Sequence, residues 1–165
     1  MLDAINLLKT TVSIPSISGQ EVEVANYLVS QMKTFADEAF VDASGSAVAK
    51  LGHGPLQVVF LGHIDTVSGD ILVRIEDGKL YGRGSVDAKG PFCTAVAAAS
   101  GLSKEVKYKL TLTLIGATEE EARSSKGARH AVTAYAKPDL VMIGEPSNWD
   151  AITLGYKGRL LVTVN

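Results

Sequence analysis

The stretch that decides the fold is VVFLGHIDTV at positions 58–67, where an unbroken apolar run leads directly into His63 and Asp65. Apolar residues without alternation predict a β-strand that is covered on both faces, as in a parallel sheet. His63 and Asp65 then follow the carboxyl end of this strand. That end of the strand lies at the edge where open α/β sheets bind their ligands.

Three more groups of acidic residues occur in similar settings along the chain. Asp87 follows a glycine-rich turn, and the others follow apolar runs. The stretches are YGRGSVDAKG with Asp87, LTLIGATEEE with Glu119, Glu120 and Glu121, and LVMIGEP with Glu145. Carboxylates are costly to bring together unless a cation lies among them. The pattern therefore predicts a metal site, with more than one ion, beyond the ends of buried strands.

Each of these residues also has an ordinary structural explanation. A histidine after a strand is most often a satisfied structural residue, and Asp87 suits the N-cap of a helix. The acidic triplet 119–121 could be a solvated turn, and Pro146 and Ser147 favour a simple turn at Glu145. The remaining histidines, His53 and His130, are interpreted as structural or exposed.

The order of predicted elements favours an α/β fold, a mostly parallel sheet flanked by helices. Ser18 and Glu21 have the spacing of a capping box at the start of the second helix. Helices are predicted at 2–8, 20–35, 91–102 and 126–135, and strands at 39–41, 47–51, 56–61, 73–75, 79–81, 110–115 and 140–143.

Composition narrows the functional classes. The 165 residues suffice for one domain, and a net charge of −2 without a basic run gives no electrostatic case for nucleic acid. The single cysteine, Cys93, excludes an internal disulfide and is expected to be buried. No signal peptide or membrane span is evident, so the expectation is a cytoplasmic protein without a membrane partner.

The end of the chain has an unusual pattern. Residues 152–156 and 159–164 both resemble strands, and the sequence stops at Asn165 within the second. A last edge strand would explain this pattern, and so would a truncated chain, which is the interpretation we favour.

Taken together and in order, GHIDTV, YGRGSVDAKGP, TEEE, GEPS and LGYKGRL resemble the dizinc aminoacylase and carboxypeptidase family, as does SIPSISGQE near the start. That family includes acetylornithine deacetylase and succinyl-diaminopimelate desuccinylase. The resemblance implies that residues 1–155 form the N-terminal part of a metallopeptidase-like catalytic domain. It implies that residues 156–165 begin an inserted dimerisation, or lid, domain, near whose start the chain is truncated.

The resemblance also implies roles for individual residues. His63 and Glu145 would bind one zinc ion, Asp87 would bridge both ions and Glu121 would bind the second. Asp65 would orient His63, and Glu120 would be the general base. A shift by one position within the acidic triplet is an alternative. Because the family's second histidine ligand comes from a later segment, this chain is expected to form at most one complete site.

The implied chemistry is hydrolysis of an amide with two Zn²⁺ or Co²⁺ ions in the full-length enzyme, which would be a homodimer. The combination TEEE–SSKGAR–GEPSNWDAITLGYKGRL most resembles hydrolases that release lysine or ornithine from a small acidic amino-group carrier protein in lysine and arginine biosynthesis. Small N-acyl amino acids, as for an acetylornithine or acetyl-lysine deacetylase, or dipeptides are alternative substrates. A non-catalytic module and a calcium-stabilised domain are different classes, which Glu120 and His63 respectively disfavour.

Overall fold

The structure is a computed structural model that describes residues 1–147 and 150–155. In these residues, two helices precede five consecutive strands, two more helices follow, and a strand, a helix and a strand come last. In chain order they are α1 (Ala4–Ser13), α2 (Val22–Met32), β1 (Glu38–Val41), β2 (Ala47–Leu51), β3 (Leu56–His63), β4 (Arg74–Glu76), β5 (Lys79–Tyr81), α3 (Lys89–Ala99), α4 (Lys104–Lys109), β6 (Leu110–Ala117), α5 (Lys126–Ala134) and β7 (Leu140–Ile143).

The main sheet has five strands in the order β1-β2-β6-β3-β7, and β4 and β5 form a separate hairpin. Strands β6, β3 and β7 run parallel, whereas β1 pairs with β2 and β2 with β6 in antiparallel fashion. The sheet is therefore mixed, because the β1–β2 hairpin adds its strands in alternating direction. The parallel half is the part that positions the site.

Helices cover both faces of the sheet. On one face, Phe60 of β3 and Leu114 of β6 pack in a cluster with residues of α2 and α3. Gly116 gives α3 room to approach this face, since a Cβ there would lie 2.9 Å from the Phe92 ring. On the other face, the side of α5 borders an apolar cavity together with β3 and β6. Successive side chains of a strand point to opposite faces, which explains the two layers.

Strand β7 differs from the buried strand that its apolar sequence predicts. Leu140, Val141, Met142 and Ile143 are each about half exposed. The reason is position: β7 is the edge strand of the described sheet and pairs with β3 alone.

The predicted capping box is wrong. The α2 helix begins at Val22, and its N-cap residue, Glu21, makes no side-chain capping bond. The Ser18 hydroxyl instead binds Asp65, and Glu21 binds the backbone N–H of Glu119 in addition to that of Gly19. Long-range acceptors and donors have therefore replaced the local pattern.

Two further differences concern the later part of the chain. The short helix α4 was not predicted, because its sequence, KEVKYK, has no clear apolar face. Residues 152–155 form no strand, and the rest of the predicted C-terminal strands lies outside the described residues. Within the described ranges, no helix has the length and apolarity needed to cross a membrane.

Candidate metal centre

Parallel pairing in register brings three of the predicted residues to one edge of the sheet. His63, the last residue of β3, pairs with Ala117 at the end of β6, and Leu61 pairs with Ile143 at the end of β7. Each of these neighbours lies just before an acidic segment. Glu120 and Glu145 therefore reach the same edge as His63.

The His63 ring lies at the centre of the group and is almost fully buried. Its Nε2 atom is 3.0 Å from Asp87 Oδ1 and 3.8 Å from oxygens of both Glu120 and Glu145. Its Nδ1 atom lies 3.0 Å from the backbone carbonyl of Asp65. Since a carbonyl can only accept, Nδ1 carries a proton, and Nε2 is the ring nitrogen that faces the carboxylates and would bind a cation once it has lost its own proton.

Asp87 reaches His63 from the loop before α3. The peptide bond between Asp87 and Ala88 is cis, and the N-cap residue of α3 is Ala88, which makes no side-chain capping bond. The N-cap interpretation of Asp87 is therefore wrong. Its carboxylate is directed towards His63 instead and remains more than half exposed.

Two groups of side chains in the described part of the chain have the geometry to hold a cation. One contains His63, Asp87 and Glu121, the other His63, Glu120 and Glu145, with the ligand atoms of each group within 4.8 Å of one another. All the residues predicted as ligands, together with the predicted base, thus lie close together. Both groups contain His63. The resemblance instead implies that His63 binds one ion and that Asp87 is the residue shared by both ions.

Asp65 is fully buried. Its carboxylate holds the acidic loop, which follows β6 and carries Glu119, Glu120 and Glu121. Its oxygens accept the Ser18 hydroxyl at 2.6 Å and the backbone N–H groups of Glu120 and Glu121 at 3.0 Å each. Burial raises the pKa of Asp65, but the hydrogen bonds from His63, Ser18 and these backbone groups lower it by more. Asp65 therefore stays charged and links the end of β3 to the loop after β6.

Within the acidic triplet, Glu119 is separate from its two neighbours. Its backbone has a φ of +56°, and its carboxylate binds the Ser124 hydroxyl and lies 3.8 Å from the Lys126 ammonium. Neither candidate ligand group includes it. The geometry thus sets Glu120 and Glu121 apart as the members of the triplet that lie beside His63.

The electrostatics of the group favour a cation. Burial lowers the pKa of His63, but the hydrogen bond with Asp65 and the charge of Glu145 raise it by more, to about 9. Burial and the charge of Asp87 raise the pKa of Glu121, and burial chiefly raises that of Glu145. Among the ion pairs of the described residues, none joins a lysine or arginine to these carboxylates. One imidazole with several carboxylates fits a divalent metal ion.

One buried charged residue next to the site in the sequence was not singled out by the sequence analysis. The buried Lys89, two positions after Asp87, donates to the carbonyls of Thr11 at 3.1 Å and Ile14 at 2.7 Å. Burial lowers the pKa of Lys89 to about 8. A lysine at the start of an otherwise apolar helix was the available signal for this contact between α3 and the C-terminal end of α1.

The other histidines are structural or exposed, as predicted. His53 is exposed and meets Tyr108 edge to face, with ring centroids 4.8 Å apart. His130 on α5 lies 3.7 Å from Asp42 in the turn between β1 and β2. Cys93 is buried, also as predicted.

The fold and the site define a class: α/β domains with a carboxylate-rich cation site at the ends of parallel strands. Residues 59–158 match the profile of Peptidase family M20/M25/M40. The chain belongs to this family, which confirms the predicted resemblance.

Relatives of known name support this placement. The chain is 54% identical over 159 residues to the LysW-lysine hydrolase of Deinococcus radiodurans, covering 96% of this chain and 44% of the relative. It is 35% identical over 154 residues to the LysW-lysine/LysW-ornithine hydrolase of Sulfurisphaera tokodaii, covering 93% and 42%. The chain thus spans less than half the length of these relatives.

Solved structures agree on the fold. A metallo-carboxypeptidase of the M20 family from Sulfolobus solfataricus superposes with a TM-score of 0.70 at 20% identity, covering 87% of this chain and 37% of that one. A tripeptidase from Staphylococcus aureus superposes with a TM-score of 0.73 at 16% identity, covering 88% and 43%. At these identities the likeness establishes the architecture alone.

Proposed function

We propose that this chain provides part of the catalytic centre of a metal-dependent amide hydrolase. Its substrate would be a small amino-group carrier protein that bears lysine or ornithine. The observation that carries the proposal is the convergence of Asp87, Glu120 and Glu145 on His63 Nε2. The names of the relatives suggest the substrate class, since each denotes a hydrolase of LysW conjugates. In this proposal LysW corresponds to the carrier protein.

The residues would divide the work as follows. His63 with Asp87 and Glu145, or with Asp87 and Glu121, would hold zinc or cobalt. A bound ion supplies Lewis acidity, which lowers the pKa of water and polarises the amide carbonyl. Asp65 keeps Nδ1 of His63 protonated and the ring fixed. Glu120, whose side chain is 46% exposed, would accept a proton from an attacking water.

In the proposed reaction, Glu120 would carry the proton from the water to the leaving group. The water oxygen bonds to the amide carbon, the carbon–nitrogen bond breaks, and Glu120 passes the proton to the leaving α-amino group of lysine or ornithine. The products are the carrier carboxylate and the free amino acid.

The resemblance supports two further parts of the proposal. Residues 1–155 would belong to the catalytic domain, and 156–165 would lead into the lid domain. The complete enzyme would be a homodimer.

The test is an assay of the full-length protein on lysine and ornithine conjugates of the carrier, with added Zn²⁺ or Co²⁺ and with chelator. Glu120→Gln removes the base, so we expect kcat to fall by roughly 10²–10⁴-fold. Glu119→Gln is the matched comparison, since that side chain lies outside both ligand groups. A large loss from Glu119→Gln together with a small one from Glu120→Gln would contradict the assigned base. Faster hydrolysis of N-acetyl-lysine, N-acetylornithine or dipeptides would contradict the substrate class.

A further inference from the structure

The 16–21 segment, SISGQE, runs beside the residues that follow β3. The Ser16 hydroxyl donates to the Ile64 carbonyl at 2.7 Å, and Thr66 N–H donates to the Ser16 carbonyl at 2.9 Å. Ile17 forms a parallel bridge with Thr66. The segment is therefore fixed against the chain immediately after His63.

The far end of the same segment contacts the acidic loop. The Ser18 hydroxyl donates to Asp65 Oδ2 at 2.6 Å. Glu21 is 5% exposed, and its Oε1 atom accepts the N–H groups of Gly19 at 2.9 Å and of Glu119 at 3.0 Å. One carboxylate thus joins the 16–21 segment to a loop that lies 98 positions away in the sequence.

The acidic loop requires such a contact at Glu119. A φ of +56° is unfavourable for a residue with a side chain. The N–H of Glu119 is bound by Glu21, and those of Glu120 and Glu121 are bound by Asp65. Three consecutive N–H groups are thus held by two buried carboxylates. This arrangement fixes the backbone from which Glu120 and Glu121 extend towards His63.

We propose that Glu21 is a positioning residue of the centre, which holds the strained turn at Glu119 and thereby the directions of Glu120 and Glu121. A role as helix cap does not account for Glu21, because it makes no side-chain capping bond to α2. The effect on turnover rests on the proposed function, whereas the effect on the loop does not.

Two substitutions distinguish the effect of the length of the Glu21 side chain from the effect of its charge. Glu21→Gln keeps a carbonyl oxygen that can accept both N–H groups. In the described part of the chain, only Oε1 of Glu21 accepts hydrogen bonds, so the amide nitrogen of glutamine can take the other position. Glu21→Asp keeps the charge but shortens the side chain by one methylene, which withdraws it from Glu119. Glu23→Asp, on an exposed residue of the same helix, is the matched control.

The first measurement is amide hydrogen exchange in the metal-free full-length protein. In Glu21→Asp, exchange at Glu119 should be about fivefold faster, which corresponds to the loss of one hydrogen bond of about 1 kcal/mol. Exchange at positions 120 and 121 should also be faster, because the same turn positions their N–H groups. Glu21→Gln and Glu23→Asp should leave it close to that of the unchanged protein. Adding Glu119→Gly to Glu21→Asp should restore protection at positions 120 and 121, because glycine adopts positive φ without strain.

The second measurement is the division of any activity loss between kcat and KM. Misplacing the base should lower kcat of Glu21→Asp by up to roughly 10²-fold with little change in KM, and Glu119→Gly should recover part of it. Equal exchange in all variants, or unchanged kcat where exchange is faster, would overturn the proposal. If Glu21→Asp fails to fold while Glu21→Gln folds normally, the test is whether the double variant with Glu119→Gly folds. A double variant that also fails to fold would overturn the proposal. Exchange that responds as expected in a protein that hydrolyses no amide would instead contradict the proposed function.

Discussion

The metal-free protein should lose stability as the pH rises from 6.5 to 8, and His63 is the cause. The pKa of His63 is raised from 6.5 to about 9 in the fold. A group with a raised pKa stabilises the fold below its unfolded pKa, and this contribution is lost as the pH rises through the folded value. At about 1.4 kcal/mol for each unit of pKa, the whole contribution is roughly 3 kcal/mol.

The window is chosen to isolate His63 from Lys89. The pKa of Lys89 is lowered from 10.5 to about 8, so its effect has the opposite sign and appears mainly above pH 8. About half of the His63 contribution, on the order of 1.5 kcal/mol, should be lost between pH 6.5 and 8.

The assay is urea unfolding in chelator at constant ionic strength across this window. His63→Asn is the control variant, and its stability should be nearly flat there. An equal slope in both proteins, or stability that rises with pH in the unchanged protein, would refute the assignment to His63. The physical picture is a proton on Nε2 that occupies the place of a cation among the carboxylates.

Three further outcomes are expected. Asp65→Asn replaces one acceptor with a donor, so the buried side-chain amide would face a backbone N–H; urea unfolding should show a loss of about 1–3 kcal/mol, against little change for the exposed Asp70→Asn. Gly127→Ala should cost about 1–3 kcal/mol, since its Cβ would lie 2.4 Å from a backbone nitrogen at the end of β6; at Gly155 nothing lies within 4 Å, and alanine there should be neutral. Equilibrium dialysis of the 165-residue chain with Zn²⁺ or Co²⁺ should give at most one tightly bound ion, lost in His63→Asn, because both ligand groups share that residue; two tight sites would contradict this.

The sequence predicts the site edge well because His63, Glu120 and Glu145 each follow a strand whose apolar run is clear. The strands at 47–51 and 140–143 have the predicted bounds, and β3 and β6 each extend two residues further. Parallel strands that end together then place their following loops together. The convergence of His63, Glu120 and Glu145 needs little more than this.

The features that the sequence did not predict depend on residues that are distant in the chain. Ser18 and Glu21 have the local spacing of a capping box, yet Ser18 donates to Asp65, and Glu21 accepts the N–H of Glu119 besides that of Gly19. The exposure of β7 depends on its place at the sheet edge, which its apolar residues do not reveal. Local patterns indicate an element, whereas competition among long-range donors and acceptors decides how its polar residues are used.

The carboxylates of the centre fall into two kinds according to their hydrogen bonds. Asp65 and Glu21 are buried and accept backbone N–H groups, so the protein itself satisfies their charge. Asp87, Glu120, Glu121 and Glu145 accept no backbone N–H in the described part of the chain, and they lie around a single imidazole. Such a set repels itself unless a proton or a cation is added. The first kind therefore builds the loop without metal, and the second keeps its lone pairs available for the ion and for proton transfer.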